Sequence, residues 1–394
     1  MRGVLGSLEP GAEVALAVGS RGIANLAAIV RAVAEALREA GARPMVVPAM
    51  GSHGGGTPAG QTTLLAGYGV SEDQLGLPVR AAVDVEQLGT TASGLEVCFS
   101  TEALRAKAIV LINRVKPHTD FSGRLGSGLL KMLVVGLGKP RGAANFHAAA
   151  SRLGYETVLC ESARFLLARV PVLCGVAIVE NQLHQTARVA VLLPAEFERG
   201  EEALVAEARS LMPRIPLDDI DLLIVDRMGK NISGTGMDPA VIGRSIHGYS
   251  LSPEPGQPPP RVRRLFARDL TPETCGNATG IGLADFTTAR LVRAIDWPVT
   301  TLNALTALSL QGAKVPLHFE TDREAIAAAL GSLGLRDWAQ AVVVRIADTL
   351  SLERLEISES CRERVRANPA LVVEQEAAEM TFDVKGNLIR PRAQ

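Results

Sequence analysis

Short apolar runs that end in polar, glycine-rich loops and then give way to helix-period segments constrain this chain more than any other feature. Val14 to Val18 reads as a buried strand and Ile23 to Ala40 as an amphipathic helix. Pro44 to Met50 is a second strand; it runs into Gly51-Ser52-His53-Gly54-Gly55-Gly56, and a helix starts near Thr57-Pro58. Ala108 to Asn113 is a further short strand followed by a polar loop, after which helical patterns occupy about Gly126–Val135, Arg141–Leu153 and Glu156–Arg169. Alternation of this kind predicts a largely parallel sheet with helices on its faces.

Pro213 to Pro216 marks a boundary, after which a new unit begins with a strand at Asp221 to Val225 and the loop Gly229-Lys230-Asn231-Ile232-Ser233-Gly234-Thr235-Gly236. Residues 286–347 alternate again, with Ala341 to Ile346 the clearest late strand, and Ser252 to Pro260 is a proline-rich excursion. At 394 residues the chain has room for two domains. The expected architecture is therefore two α/β domains, 1–212 and 213–394, with a ligand in the interdomain cleft.

Charge narrows the function. Lys plus Arg (41) nearly balances Asp plus Glu (42), for a net charge of -1. Neither nucleic acid nor an anionic membrane is an expected partner. No apolar stretch has membrane-spanning length, and no signal-like segment is recognisable. The five cysteines match neither a disulfide framework nor a zinc spacing. A cytoplasmic protein with reduced, mostly buried thiols and a small-molecule partner is expected.

Arg21, His53 and His118 each fall within a few residues of the C-terminal end of a predicted strand, the edge of an open α/β sheet where ligands bind. Any one of them is an ordinary loop residue; together they form a pattern. Lys131 stands among apolar neighbours in Leu129-Leu130-Lys131-Met132-Leu133-Val134-Val135. Burying an ammonium is costly, so the free amine is favoured, the state needed to condense with an acyl or carbonyl group. The competing reading is a lysine that snorkels to the surface. In a helix its neighbours one turn back are Ser127 and Gly128, which leave room for a bulky attached group. His147 shares a helix face with Ala143, Ala144, Ala150 and Ser151, so its imidazole has the open space that a metal ligand needs; a surface histidine without a role is the alternative.

Two glycine-rich runs mislead. Gly136-Leu137-Gly138-Lys139-Pro140-Arg141-Gly142 follows a helical pattern rather than a strand and is interrupted by Pro140, unlike a dinucleotide fingerprint. Gly123 to Lys131 lacks the spacing of a P-loop.

In order, Ser20-Arg21, Gly51-Ser52-His53, Lys116-Pro117-His118 with Phe121-Ser122-Gly123, Lys131 and His147 resemble the nickel-dependent lactate racemase family, over roughly residues 10–190. The resemblance implies an isomerase: a racemase or epimerase of a 2-hydroxy acid that uses a nickel-pincer nucleotide. Lys131 would carry the nucleotide through a thioamide, and His147 would ligate nickel. His53 and His118 would act as general acid and base, and Arg21 would hold the substrate. Cofactor-synthesis proteins would be transient partners. The chain departs from the pattern at Val18, where the racemases carry an acid, and His118 and Lys131 stand further apart than theirs. The second domain lacks the family's glycine–tyrosine–proline loop; Lys230 or Asn231 is the candidate carboxylate binder there. Two alternatives stay open: a nicotinamide-dependent 2-hydroxy acid dehydrogenase, and a non-catalytic nucleotide- or metal-binding homologue.

Overall fold

The computed structural model describes residues 5–6, 8–20, 22–118, 123–244, 259–307 and 309–389. Arg21 and the Phe121-Ser122 pair lie outside these residues. The chain divides into two compact units, Met1–Met212 and Pro213–Gln394.

Unit 1 is built on a five-stranded sheet in the order β2-β1-β5-β6-β7. Its strands are β1 (Glu13–Val18), β2 (Arg43–Pro48), β5 (Ala108–Arg114), β6 (Val172–Glu180) and β7 (Thr186–Leu192). β2, β1, β5 and β6 run parallel, and β7 closes the edge antiparallel. A two-residue alternation divides the strands between two cores. Ala15, Ala17, Met45, Val47, Ile109 and Leu111 pack on one face with Leu133, Val134 and Phe146. Val14, Leu16, Val18, Val46, Val110 and Ile112 pack on the other with Val30, Val33 and Leu37 of the helix Leu26–Glu39. Both faces are covered, which is why β1 reads as an uninterrupted apolar run.

Unit 2 carries a six-stranded sheet in the order β11-β10-β9-β8-β12-β13. These are β8 (Asp219–Met228), β9 (Arg261–Leu270), β10 (Phe286–Thr288), β11 (Leu317–Phe319), β12 (Val343–Ile346) and β13 (Leu355–Ile357). All neighbours are parallel except β12 and β13. Two α/β units with largely parallel sheets is the architecture the alternation predicted. No helix among the described residues is long and apolar enough to cross a membrane.

The structure adds a hairpin of β3 (Val85–Thr90) and β4 (Glu96–Ser100) that the sequence reading passed over. It also corrects the segment around Lys131. The expected helix over Gly126–Val135 is one short α-turn, Leu129–Lys131, that widens at once into a π-helix over Met132–Gly136. There Leu137 N donates to Met132 O across five residues at 2.8 Å. Such wide turns are rare and are often found at functional sites.

Candidate functional site

β1 and β5 lie side by side, yet the chain leaves them in opposite directions, to β2 on one side and to β6 on the other. Val18, the last residue of β1, pairs with Ile112, two residues before the end of β5. This is the switch point of the sheet, where two diverging loops open a crevice. The loop after β1 carries Ser20, the loop after β5 carries His118, and the loop after β2 carries His53.

His118 is held by a closed loop. Lys116 and Ser127 exchange backbone hydrogen bonds of 3.0 and 2.8 Å, so the chain between them returns to its own start. Gly126 has to be glycine here, since a Cβ would overlap the Lys116 carbonyl. Tyr155, the buried first residue of the helix Tyr155–Leu167, donates its hydroxyl to Gly126 O at 3.0 Å and lays its ring 4.6 Å from that of His118. The return brings Lys131 beneath the imidazole: Lys131 Nζ lies 2.6 Å from His118 Nε2 and 3.4 Å from Ser127 Oγ. Lys131 is half-buried, so the expectation of an ammonium walled in by apolar neighbours is not met; its partner is an imidazole.

Behind this turn is a group the sequence reading missed. Glu201, on the helix Phe197–Ser210, is fully buried and its Oε2 accepts from Leu130 N at 3.0 Å. Its carboxyl lies against Gly128, leaving no room for a Cβ there. Burial pushes its pKa up to about 7, although the Leu130 and Leu129 amides oppose the shift. The other oxygen, Oε1, has no hydrogen-bond partner among the described residues. The signal was legible in retrospect: Phe197, Glu201, Leu204, Val205 and Ala208 form one buried stripe, and an acid on such a stripe is out of place.

His53 follows a left-handed Gly51 (φ 58°), and its Nδ1 lies 2.7 Å from Ser20 Oγ. The loop is fastened from below. Gln61, fully buried on the helix Pro58–Gly67, donates to Gly51 O at 2.9 Å and to His53 O at 3.4 Å. Lys139 Nζ donates to Pro48 O at 2.6 Å and to Gln61 Oε1 at 3.4 Å. Among the described residues the fully buried lysine is therefore Lys139, not Lys131. Desolvation lowers its pKa to about 8, with Glu102 acting weakly the other way. It sits in the glycine run set aside as a false fingerprint, with a left-handed backbone (φ 55°) that few non-glycine residues adopt.

His147 is half-buried on the helix Lys139–Leu153, its ring 5.6 Å from that of Phe146. Phe146 in turn meets Tyr155 edge-on at 5.5 Å, so a line of rings runs from His118 through Tyr155 and Phe146 to His147. His118 and Lys131 are thus in direct contact, His147 is linked to them through aromatic neighbours, and His53 stands with Ser20 on the same sheet edge.

In unit 2, Lys230 and Asn231 occupy the loop after β8. Lys230 Nζ donates to Gly234 O at 2.5 Å, and Asn231 Oδ1 accepts from Thr271 Oγ1 at 2.6 Å. The Lys230 bond closes its own loop, and the Asn231 bond ties that loop to the one after β9.

No protein-family model matches the chain, and no curated protein does. A solved structure does: that of the lactate racemase apoprotein from Thermoanaerobacterium thermosaccharolyticum, at a TM-score of 0.50 and 12% identity, covering 88% of this chain and 87% of that one. The chain has a lactate racemase-like fold.

Proposed function

We propose that the chain is a racemase or epimerase of a 2-hydroxy acid, an isomerase working with a nickel-pincer nucleotide tethered to Lys131. The observation that carries this reading is the Lys131–His118 contact at the switch point of a lactate racemase-like fold. The donor set suits such a group. Among the described residues no three His, Cys, Asp or Glu side chains stand together to hold a metal ion. A metal at His147 therefore fits one carried in by an organic ligand, with the imidazole adding a single nitrogen. Lys131 would supply the tether, with Ser127 Oγ 3.4 Å from its Nζ; Glu201 fills the space at Gly128, so the room expected on that side is not there.

Inverting a 2-hydroxy acid means removing a hydrogen from C2 and returning it to the other face, and that hydrogen is too weakly acidic for a histidine. The bound nucleotide would supply hydride acceptance and return. What the chain's residues do is move the hydroxyl proton: one of His53 and His118 takes it as the flat 2-keto acid forms, and the other gives a proton back on the opposite side. The Ser20 hydroxyl can donate to His53 Nδ1 or accept from it, so it supports either tautomer. Arg21, Lys230 and Asn231 are the proposed substrate contacts.

Mass spectrometry of protein co-produced with a pincer-synthesis system tests the reading. We expect an adduct on Lys131, nickel lost in His147→Ala, and turnover lost by about 10²–10⁴-fold in His53→Ala with the adduct retained. A 2-hydroxy acid deuterated at C2 should keep its label on carbon. Protein without an adduct, or complete washout of the label, would overturn the proposal.

A further inference from the structure

The Lys131–His118 contact has a chemistry of its own. An amine and an imidazole nitrogen 2.6 Å apart share a proton along one line: while the lysine is an ammonium, His118 Nε2 must accept from it. The imidazole packs beside the Tyr155 ring, and the chain is pinned at Lys116, two residues before it, by the backbone pair with Ser127. Its direction is set before any ligand arrives. Amine, adjacent base and an element that orients the base are the parts of an activated nucleophile.

We infer that His118 is the base that makes Lys131 an acyl acceptor, and that acylation of Lys131 in turn releases His118. The inference rests on the proposed tether for its biological use, but the chemistry belongs to the unmodified chain. The co-reactant is an activated carboxyl compound such as a thioester. His118 Nε2 removes one ammonium proton, and the freed amine attacks the carbonyl carbon. The C–N bond forms, the C–S bond breaks, and the thiolate leaves with a second proton from the attacking nitrogen. The third proton stays on the amide, and His118 passes its own to solvent. No oxidant or reductant takes part. The new amide nitrogen is no longer basic and has one hydrogen where the ammonium had three. The hold on Nε2 is thereby loosened, and the imidazole becomes available for the next proton transfer. One histidine would serve two steps in a fixed order, loading first and turnover second.

The chain suits a direct test because it has only seven lysines, of which Lys107, Lys314 and Lys385 are exposed and serve as internal references. Purified, unmodified protein would be incubated with the acetyl thioester of N-acetylcysteamine, and acetylation at each lysine followed by peptide mass spectrometry. Lys131 should react about 10²-fold faster than the three references, a typical gain from a placed base. In His118→Gln, which keeps a polar side chain but no base, the rate should fall to that of the references and rise only at alkaline pH. For the second half, diethyl pyrocarbonate should modify His118 faster after Lys131 is acetylated than before, and faster in Lys131→Gln than in the parent. Lys131 acetylated no faster than Lys107, or unaffected by His118→Gln, would overturn the first half. Unchanged His118 reactivity would overturn the second. Neither result depends on the pincer nucleotide, so failure of the proposed function would show separately, as protein lacking the adduct after co-production.

Discussion

Burial opposes the charged state of both Glu201 and Lys139, and the two residues fasten the two halves of the site. For Glu201 the folded-state pKa is raised from 4.5 to about 7. The folded protein therefore holds a proton that the unfolded chain releases, and stability falls as pH rises from about 4.5 to about 7, then levels off. Glu201→Gln removes the titration while keeping an acceptor for Leu130 N. Relative to the parent it should gain roughly 1 kcal/mol per pH unit across that window, read from urea melts at pH 5 and pH 8; parallel curves would refute the assignment. Lys139 has the opposite sign: its pKa is lowered to about 8, so the unfolded chain binds the extra proton and the parent grows more stable between about pH 8 and 10.5. Lys139→Met should abolish that rise and leave Pro48 O and Gln61 Oε1 without their donor. The sequence reading singled out His53 and His118 as histidines after strands, Lys131 as a lysine in an apolar run and His147 as a histidine on a helix face of small residues, each a break in a local pattern. It missed Tyr155, whose role is a contact to a loop some thirty residues away, and it dismissed Lys139, whose partners come from two other elements. Such partners are set by tertiary packing, which leaves no mark at the residue itself.

At the level of elements, the strands buried on both faces were legible: β1, β2, β5 and β8 all fall where apolar runs end in loops. The β3–β4 hairpin was not, because its exposed positions break the apolar run and Gly89 interrupts its register. The π-turn after Lys131 was not legible either, since a run of apolar residues reads the same at either helical pitch. Close approach explains what propensity cannot. Gly136 has no space for a Cβ, which would stand 2.6 Å from Ala49 O, so the π-turn presses directly on the strand end that leads to His53. Gly60 offers a sharper case. In an ordinary helix interior, glycine to alanine gains about 1 kcal/mol. Here the new Cβ would overlap the Gly54 carbonyl, which is backbone and cannot swing aside. Gly60→Ala should therefore destabilise, by about 1–3 kcal/mol, and raise amide exchange in the loop over residues 51–56. A stabilised variant would mean that the His53 loop is far softer than its hydrogen bonds indicate.

On the scale of the molecule, each unit has a core of its own: the apolar clusters of the first end at Leu211, and those of the second begin at Ile215. Unit 2 adds a buried ionic network beneath its sheet. Arg268 on β9 binds Asp226 on β8 at 2.6 Å and Asp322 at 2.6 Å, and donates to Leu388 O at 2.9 Å. Arg345 on β12 binds Asp226 at 3.0 Å and donates to Ile389 O at 3.1 Å, while Asp322 accepts from Leu388 N at 2.8 Å. Three strands, the helix Asp322–Gly331 and the segment 388–389 are thus tied to one set of charges. A buried pair adds little against an apolar replacement, but removing one member strands the other charge, which costs about 3–5 kcal/mol. Asp322 is fully buried and reaches both Arg268 and Arg290, so Asp322→Asn should cost a sum of that order. The loss should stay within unit 2. Calorimetry should show one component of the unfolding transition moving down while the other keeps its Tm. The selective acetylation of Lys131 should be unaltered at 25 °C, because Ser127, Gly126 and Tyr155, the described contacts around His118 and Lys131, belong to unit 1. A single transition that shifts as a whole, with Lys131 reactivity lost in parallel, would show instead that the two units unfold as one.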